Sequence, residues 1–72
     1  MRNTKLELAI YNYIKQHEQD NVDIVDLCCA FPNSNSDTLL ATVATLRTNK
    51  YVDKINVSNY SYYIILRDYE DR

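Results

Sequence analysis

At 72 residues the chain is one domain, near the lower limit at which a single apolar core holds without staples, and it leaves little room for an enzyme's cleft. Its 46% hydrophobic and 25% charged content is globular rather than disordered, and the complete absence of glycine excludes Gly-rich phosphate loops and dinucleotide fingerprints. With a formal net charge of −2 and a pI of 5.1, the molecule as a whole does not attract polyanions, so any nucleic-acid binding needs a locally basic patch.

A first helix is predicted over about 4–17. Thr4 and Glu7 have capping-box spacing, and Leu6, Ile10, Tyr13 and Ile14 recur on one face beside Ala9, with Glu7, Asn12, Lys15 and Gln16 on the other. Arg2, Lys5 and Glu7 interrupt the pattern of a signal peptide, and no apolar run approaches the ~20 residues of a membrane span, so the expected setting is cytoplasmic. The polar run HEQDN ends the helix, with His17 placed to cap carbonyls.

Val22 and Ile24 fit either a short edge strand or the approach to a second helix capped by Asp23, predicted over about 23–31. Ile24, Leu27, Cys28 and Phe31 fall at i, i+3, i+4 and i+7, and Pro32 stops the helix. Cys28 and Cys29 are the only cysteines and His17 the only histidine, so a tetrahedral metal site within one chain is not expected. On a helix the two thiols point about 100° apart, one to the core and one to its edge.

The turn PNSN leads to a third helix over about 35–49, with Ser34 or Ser36 as its cap and Asp37 near its positive end. Leu39, Val43 and Leu46 form the core seam, with Leu40 at its border. Thr38, Ala41, Thr45 and Thr48 make a small, smooth opposite face. Asn49 is expected to take the left-handed cap that glycine usually supplies. Residues 51–66, rich in β-branched and aromatic side chains, read as a hairpin about Ser58-Asn59. Tyr60, Tyr62, Ile64 and Leu66 share one face of its second strand, and Ser61, Tyr63 and Ile65 the other. The acidic tail 67–72 is expected to fray. The carboxylates are scattered over polar faces and suggest no catalytic pair, so neither an enzyme nor a cofactor is expected.

The order helix, helix, turn, helix, hairpin, with LLATVATLRTNKYVDKI leading into YSYYIIL, resembles the winged helix-turn-helix domains of bacterial and phage transcription regulators. Leu46-x-x-x-Lys50-Tyr51-Val52 is similar to the family's core leucine, three polar residues, glycine and two apolar residues that open the wing, with Lys50 in the glycine's place. The resemblance implies an α+β, mainly helical fold, a C-terminal two-stranded wing, and a duplex-DNA regulator, acting as a dimer. By position its readers would be Asn35, Ser36, Asp37, Thr38, Ala41, Thr42 and Thr45, with Arg47, Lys50, Lys54, Asn56, Ser58, Asn59 and Arg67 toward the backbone. No Arg or Lys stands at the front of this helix, and the cations allow about three or four phosphate contacts per subunit. The alternative is a protein-interaction module or homodimer using Ala41 and Thr48, or exposed Tyr60, Tyr62 and Tyr63 among the seven tyrosines, with Tyr69 a further candidate.

Overall fold

The computed structural model describes residues 4–69. Three helices, α1 (Thr4–Gln16), α2 (Ile24–Ala30) and α3 (Ser36–Thr48), precede two strands, β1 (Val52–Val57) and β2 (Tyr60–Ile65), and a 3-10 turn, Glu18–Asp20, lies between α1 and α2. The fold is α+β and mainly helical, with a C-terminal antiparallel hairpin.

The core is assembled from one stripe of every element. Ile10, Tyr11 and Ile14 of α1, Leu27 of α2, and Leu39, Val43 and Leu46 of α3 meet Val22, Tyr51, Val52 and Tyr63. Cys28 packs against this cluster and Cys29 is exposed, as their angular separation on a helix requires. Tyr11 takes the core position and Tyr13 its rim, where it meets His17 at 4.5 Å and Phe31 at 6.0 Å between ring centroids.

Helix ends follow side-chain chemistry, with several departures from the expected caps. Thr4 is already helical, so the cap position of α1 lies outside the described residues. His17 does not cap α1 carbonyls; its ring contacts Asp20 at 3.4 Å across the 3-10 turn. Asp23 caps α2 in a reciprocal box with Asp26, each side chain accepting from the other's backbone N–H, at 2.9 and 3.1 Å. Val22 stays out of any strand, but its carbonyl accepts from the Tyr63 N–H at 2.8 Å. Asn35, rather than Ser34 or Ser36, caps α3: its backbone is extended and its side-chain oxygen accepts from the Thr38 N–H at 2.7 Å. The left-handed residue after α3 is Lys50 (φ 62°), not Asn49 (φ −85°). Lys50 N–H donates to the Arg47 carbonyl and Tyr51 N–H to the Leu46 carbonyl, both at 3.0 Å, the bond pair of a Schellman turn. Leu46 and Tyr51 are both buried beside it.

The hairpin pairs Val52 with Ile65 through to Val57 with Tyr60, leaving Ser58-Asn59 as a two-residue loop. Antiparallel partners share a face. Val52, Lys54 and Asn56 therefore lie with Ser61, Tyr63 and Ile65 on the core side, while Asp53, Ile55 and Val57 lie with Tyr60, Tyr62 and Ile64 on the outer side. The β2 edge is closed by two N–H donors, Tyr63 to the Val22 carbonyl at 2.8 Å and Ile65 to the Glu18 carboxylate at 3.0 Å.

Residues 67–69 are not frayed. The Tyr11 hydroxyl donates to the Arg67 carbonyl at 2.9 Å, and the Arg67 guanidinium sits 4.3 Å over the Tyr51 ring and donates to the Asn49 carbonyl at 2.9 Å. Tyr69 stacks at 4.7 Å on Tyr51 and 5.6 Å on Tyr11, and its hydroxyl donates to the Glu7 carboxylate at 3.3 Å. Glu7, expected on the polar face, is buried, because the returning tail covers that side of α1. The remainder of the predicted tail lies outside the described residues.

Candidate interaction surfaces

Two surfaces bear on function: the outward side of α3 and the outer face of the hairpin. On α3, Ser36, Asp37, Thr38, Leu40, Ala41, Ala44 and Thr48 are exposed, and Thr45 is half-buried. Thr42 is a correction to the expected reader set: it is buried at 9% exposure beside Val43, and its hydroxyl donates to the Thr38 carbonyl at 2.8 Å. The Thr45 and Thr48 hydroxyls likewise donate to Ala41 and Ala44 carbonyls, at 3.1 and 2.9 Å. Back-bonding one turn earlier is the usual resource of a threonine inside a helix. It leaves these hydroxyls only acceptor capacity toward an outside partner. Asn35 has spent its side-chain oxygen as the cap. What α3 presents is Leu40 at 47% exposure among alanines, threonine methyls and one acidic residue.

The cations are unequally available. Arg47 pairs with Asp53 at 3.8 Å, and Arg67 is held against Tyr51 and Asn49. Lys50 is exposed on its left-handed backbone, and Lys54 is half-buried on the core side of β1 opposite Tyr63. Neither lysine has an ion pair among the described residues. Asn56, Ser58 and Asn59 are exposed at the tip. Register puts Lys54 and Asn56 on the core-side face of the hairpin, away from its tyrosine row.

The outer face has a different chemistry. Val57 opposes Tyr60 and Ile55 opposes Tyr62 in two successive pairs, with Ile64 next along β2 and Leu66 just beyond it. Tyr60 is 55% exposed, Leu66 49% and Val57 39%. Tyr60 and Tyr62 lie near-parallel, 6.0 Å between centroids. Among the described residues the only charge the strands carry on this face is Asp53, whose carboxylate accepts from the Lys54 N–H at 2.8 Å and meets Arg47. Tyr63, expected to be exposed like Tyr60 and Tyr62, is buried at 4% exposure, because its face of the strand, opposite to theirs, is the one that meets the core. Tyr69, the other tyrosine expected to be exposed, packs against the core.

Burial drives the Tyr63 phenol above its ordinary range; the Arg47 charge opposes that shift and the Asp23 carboxylate adds to it. Among the described residues no group of three His, Cys, Asp or Glu can hold a metal ion, and no helix is long and apolar enough to cross a membrane. Sequence periodicity missed the strap of Arg67 and Tyr69 over Tyr11, Tyr51 and Glu7. The available signal was one cationic and one aromatic residue, Arg67 and Tyr69, just after a strand, where a solvated tail needs neither. No protein-family model, curated protein or solved structure matches this chain.

Proposed function

We propose that this chain is a winged-helix interaction module, without catalytic activity, that docks on protein through the outer face of its hairpin. The observation that carries the reading is the contrast between the two surfaces. The outer face offers exposed Tyr60, Leu66 and Val57 with no unpaired charge among the described residues, whereas along α3 the Thr42, Thr45 and Thr48 hydroxyls are bonded inward and the front of the helix carries no cation. Interface cores are enriched in aromatic side chains and depleted of charge, and nucleic-acid surfaces are the reverse. Two free thiols fit work in a reducing cytoplasm.

A second reading, duplex-DNA binding by α3 and the wing, draws on Lys50 and Lys54. Neither pairs with a carboxylate among the described residues, and both follow α3 closely in the chain. Titration with mixed-sequence duplex at low salt separates the two. The interaction module predicts no saturable binding up to about 100 μM, the weak end of ordinary non-specific affinity. Binding below about 1 μM that weakens steeply with salt, and that is lost in Lys50→Glu with Lys54→Glu, overturns it in favour of DNA.

A further inference from the structure

We infer that the free edge of β1, from Lys54 to Val57, receives an extended protein segment of alternating acidic and apolar residues as a third, antiparallel strand. This goes beyond docking on the outer face, because it uses the backbone edge of the sheet and not its tyrosine row.

Hydrogen-bond phase fixes which groups point outward. Tyr63 and Ile65 spend their N–H groups away from β1, on the Val22 carbonyl and the Glu18 carboxylate, while the Leu66 N–H turns inward to the Tyr51 carbonyl at 2.8 Å. Lys54 and Val52, the register partners of Tyr63 and Ile65, are therefore non-hydrogen-bonded positions, and Asn56 is the next in the alternation. The backbone groups of these three residues point away from β2. Val52 is buried, but Lys54 is half-buried and Asn56 and Val57 are exposed. Among the described residues nothing bonds the Lys54 carbonyl or the Asn56 N–H and carbonyl. The chain closes the edge of β2 itself and leaves that of β1 unpaired. Edges of this kind take up an extended strand from a partner.

One side chain guards the edge. Asp53 Oδ1 accepts from the Lys54 N–H at 2.8 Å, and a charge so placed deters edge pairing. The guard has a second seat, since the Arg47 guanidinium lies 3.8 Å from the same oxygen. A partner carbonyl that takes the Lys54 N–H exchanges one hydrogen bond for another and leaves the carboxylate to Arg47, so its displacement costs little.

Side chains then select the partner. A residue opposite Lys54 shares its face, and the Lys54 ammonium has no ion pair among the described residues; a carboxylate there completes a cross-strand pair. Residues one step away lie beside Ile55 and Val57 on the outer face, where apolar side chains suit them. A nucleic acid offers Lys54 a phosphate but no peptide N–H and carbonyl at strand spacing, so it leaves the Asn56 backbone unbonded.

Amide hydrogen exchange of the full chain, read by NMR during titration to about 1 mM with a synthetic peptide of alternating glutamate and valine, about eight residues long, tests this. Asn56 exchange is expected to slow at least about tenfold at saturation, while the Tyr63 and Ile65 amides, already bonded, stay unchanged and report the fold. Lys54→Glu should weaken the peptide at least about threefold. The same peptide N-methylated at every glutamate, which lacks the donors that face β1, should give no slowing. Equal slowing by both peptides, or none by the unmodified one, overturns the inference. Slowing in Asp53→Ala but not in wild type also overturns it, since Asp53 is then a permanent guard of an edge that takes no partner.

Discussion

Tyr63 and Tyr60 sit three residues apart on one strand and do opposite work. Tyr63 is buried at 4% exposure, and its phenol feels the charges of Arg47 and Asp23; Tyr60 is 55% exposed on the other side of the sheet. The buried phenol makes a pH prediction. Its acidity is weakened in the folded chain, chiefly by desolvation, so the folded state holds this proton more tightly than the unfolded state. That contribution to stability is fully present below the ordinary tyrosine pKa of about 10 and is lost as pH rises through the higher folded value. Urea midpoints should fall above pH 10 in wild type, and Tyr63→Phe should flatten that fall relative to wild type. An identical alkaline limb in the two proteins would remove Tyr63 as its source.

Among the elements, the junction of α3 and β1 has the plainest conflict between sequence and backbone. The Schellman turn needs a left-handed residue, and Lys50 occupies it at φ 62° in a chain that has no glycine. A side chain with a Cβ costs about 1 kcal/mol or more there. Lys50→Gly should therefore raise stability by about 1 kcal/mol, a rise of several degrees in Tm for a domain of this size. A lower Tm would mean that the lysine side chain itself stabilises the turn. The cap of α3 shows the opposite lesson: Ser34, Asn35 and Ser36 are all competent caps by composition. Asn35 is chosen because its backbone is the extended one, with φ −76° and ψ 163°.

For the whole molecule, the deciding contact joins its first element to the end of the described chain. Arg67 and Tyr69 close over Tyr11, Tyr51 and Glu7, converting a polar position on α1 into a buried carboxylate. A chain truncated after Leu66 loses the Tyr11 and Asn49 bonds, the Tyr69 stacking and one partner of Glu7. At about 1 kcal/mol per hydrogen bond plus the aromatic contacts, the loss should reach about 3 kcal/mol, a large share of the 5–15 kcal/mol typical of a domain. Chemical denaturation of the truncated chain measures it; an unchanged midpoint would show the strap to be incidental.

What the sequence determined by itself was whatever depends on neighbours a few residues apart. Helical spacing marked Ile10 and Ile14, Leu27, and Leu39, Val43 and Leu46, and strand alternation with a two-residue loop set the hairpin and its register. Those signals are local, because periodicity reports which side of an element is apolar. Tertiary structure decided which side meets the core when both are apolar. It put Tyr63 inside and Tyr60 and Tyr62 outside, since β2 carries aromatic and aliphatic residues on both faces and only the helices behind it break the tie. It also decided the fate of Glu7 and Thr42, polar side chains whose burial depends on a tail 62 residues away in one case and on packing beside Val43 in the other. No spacing rule reaches that far along a chain, and the balance between reading DNA and meeting another protein turns on these same long-range placements.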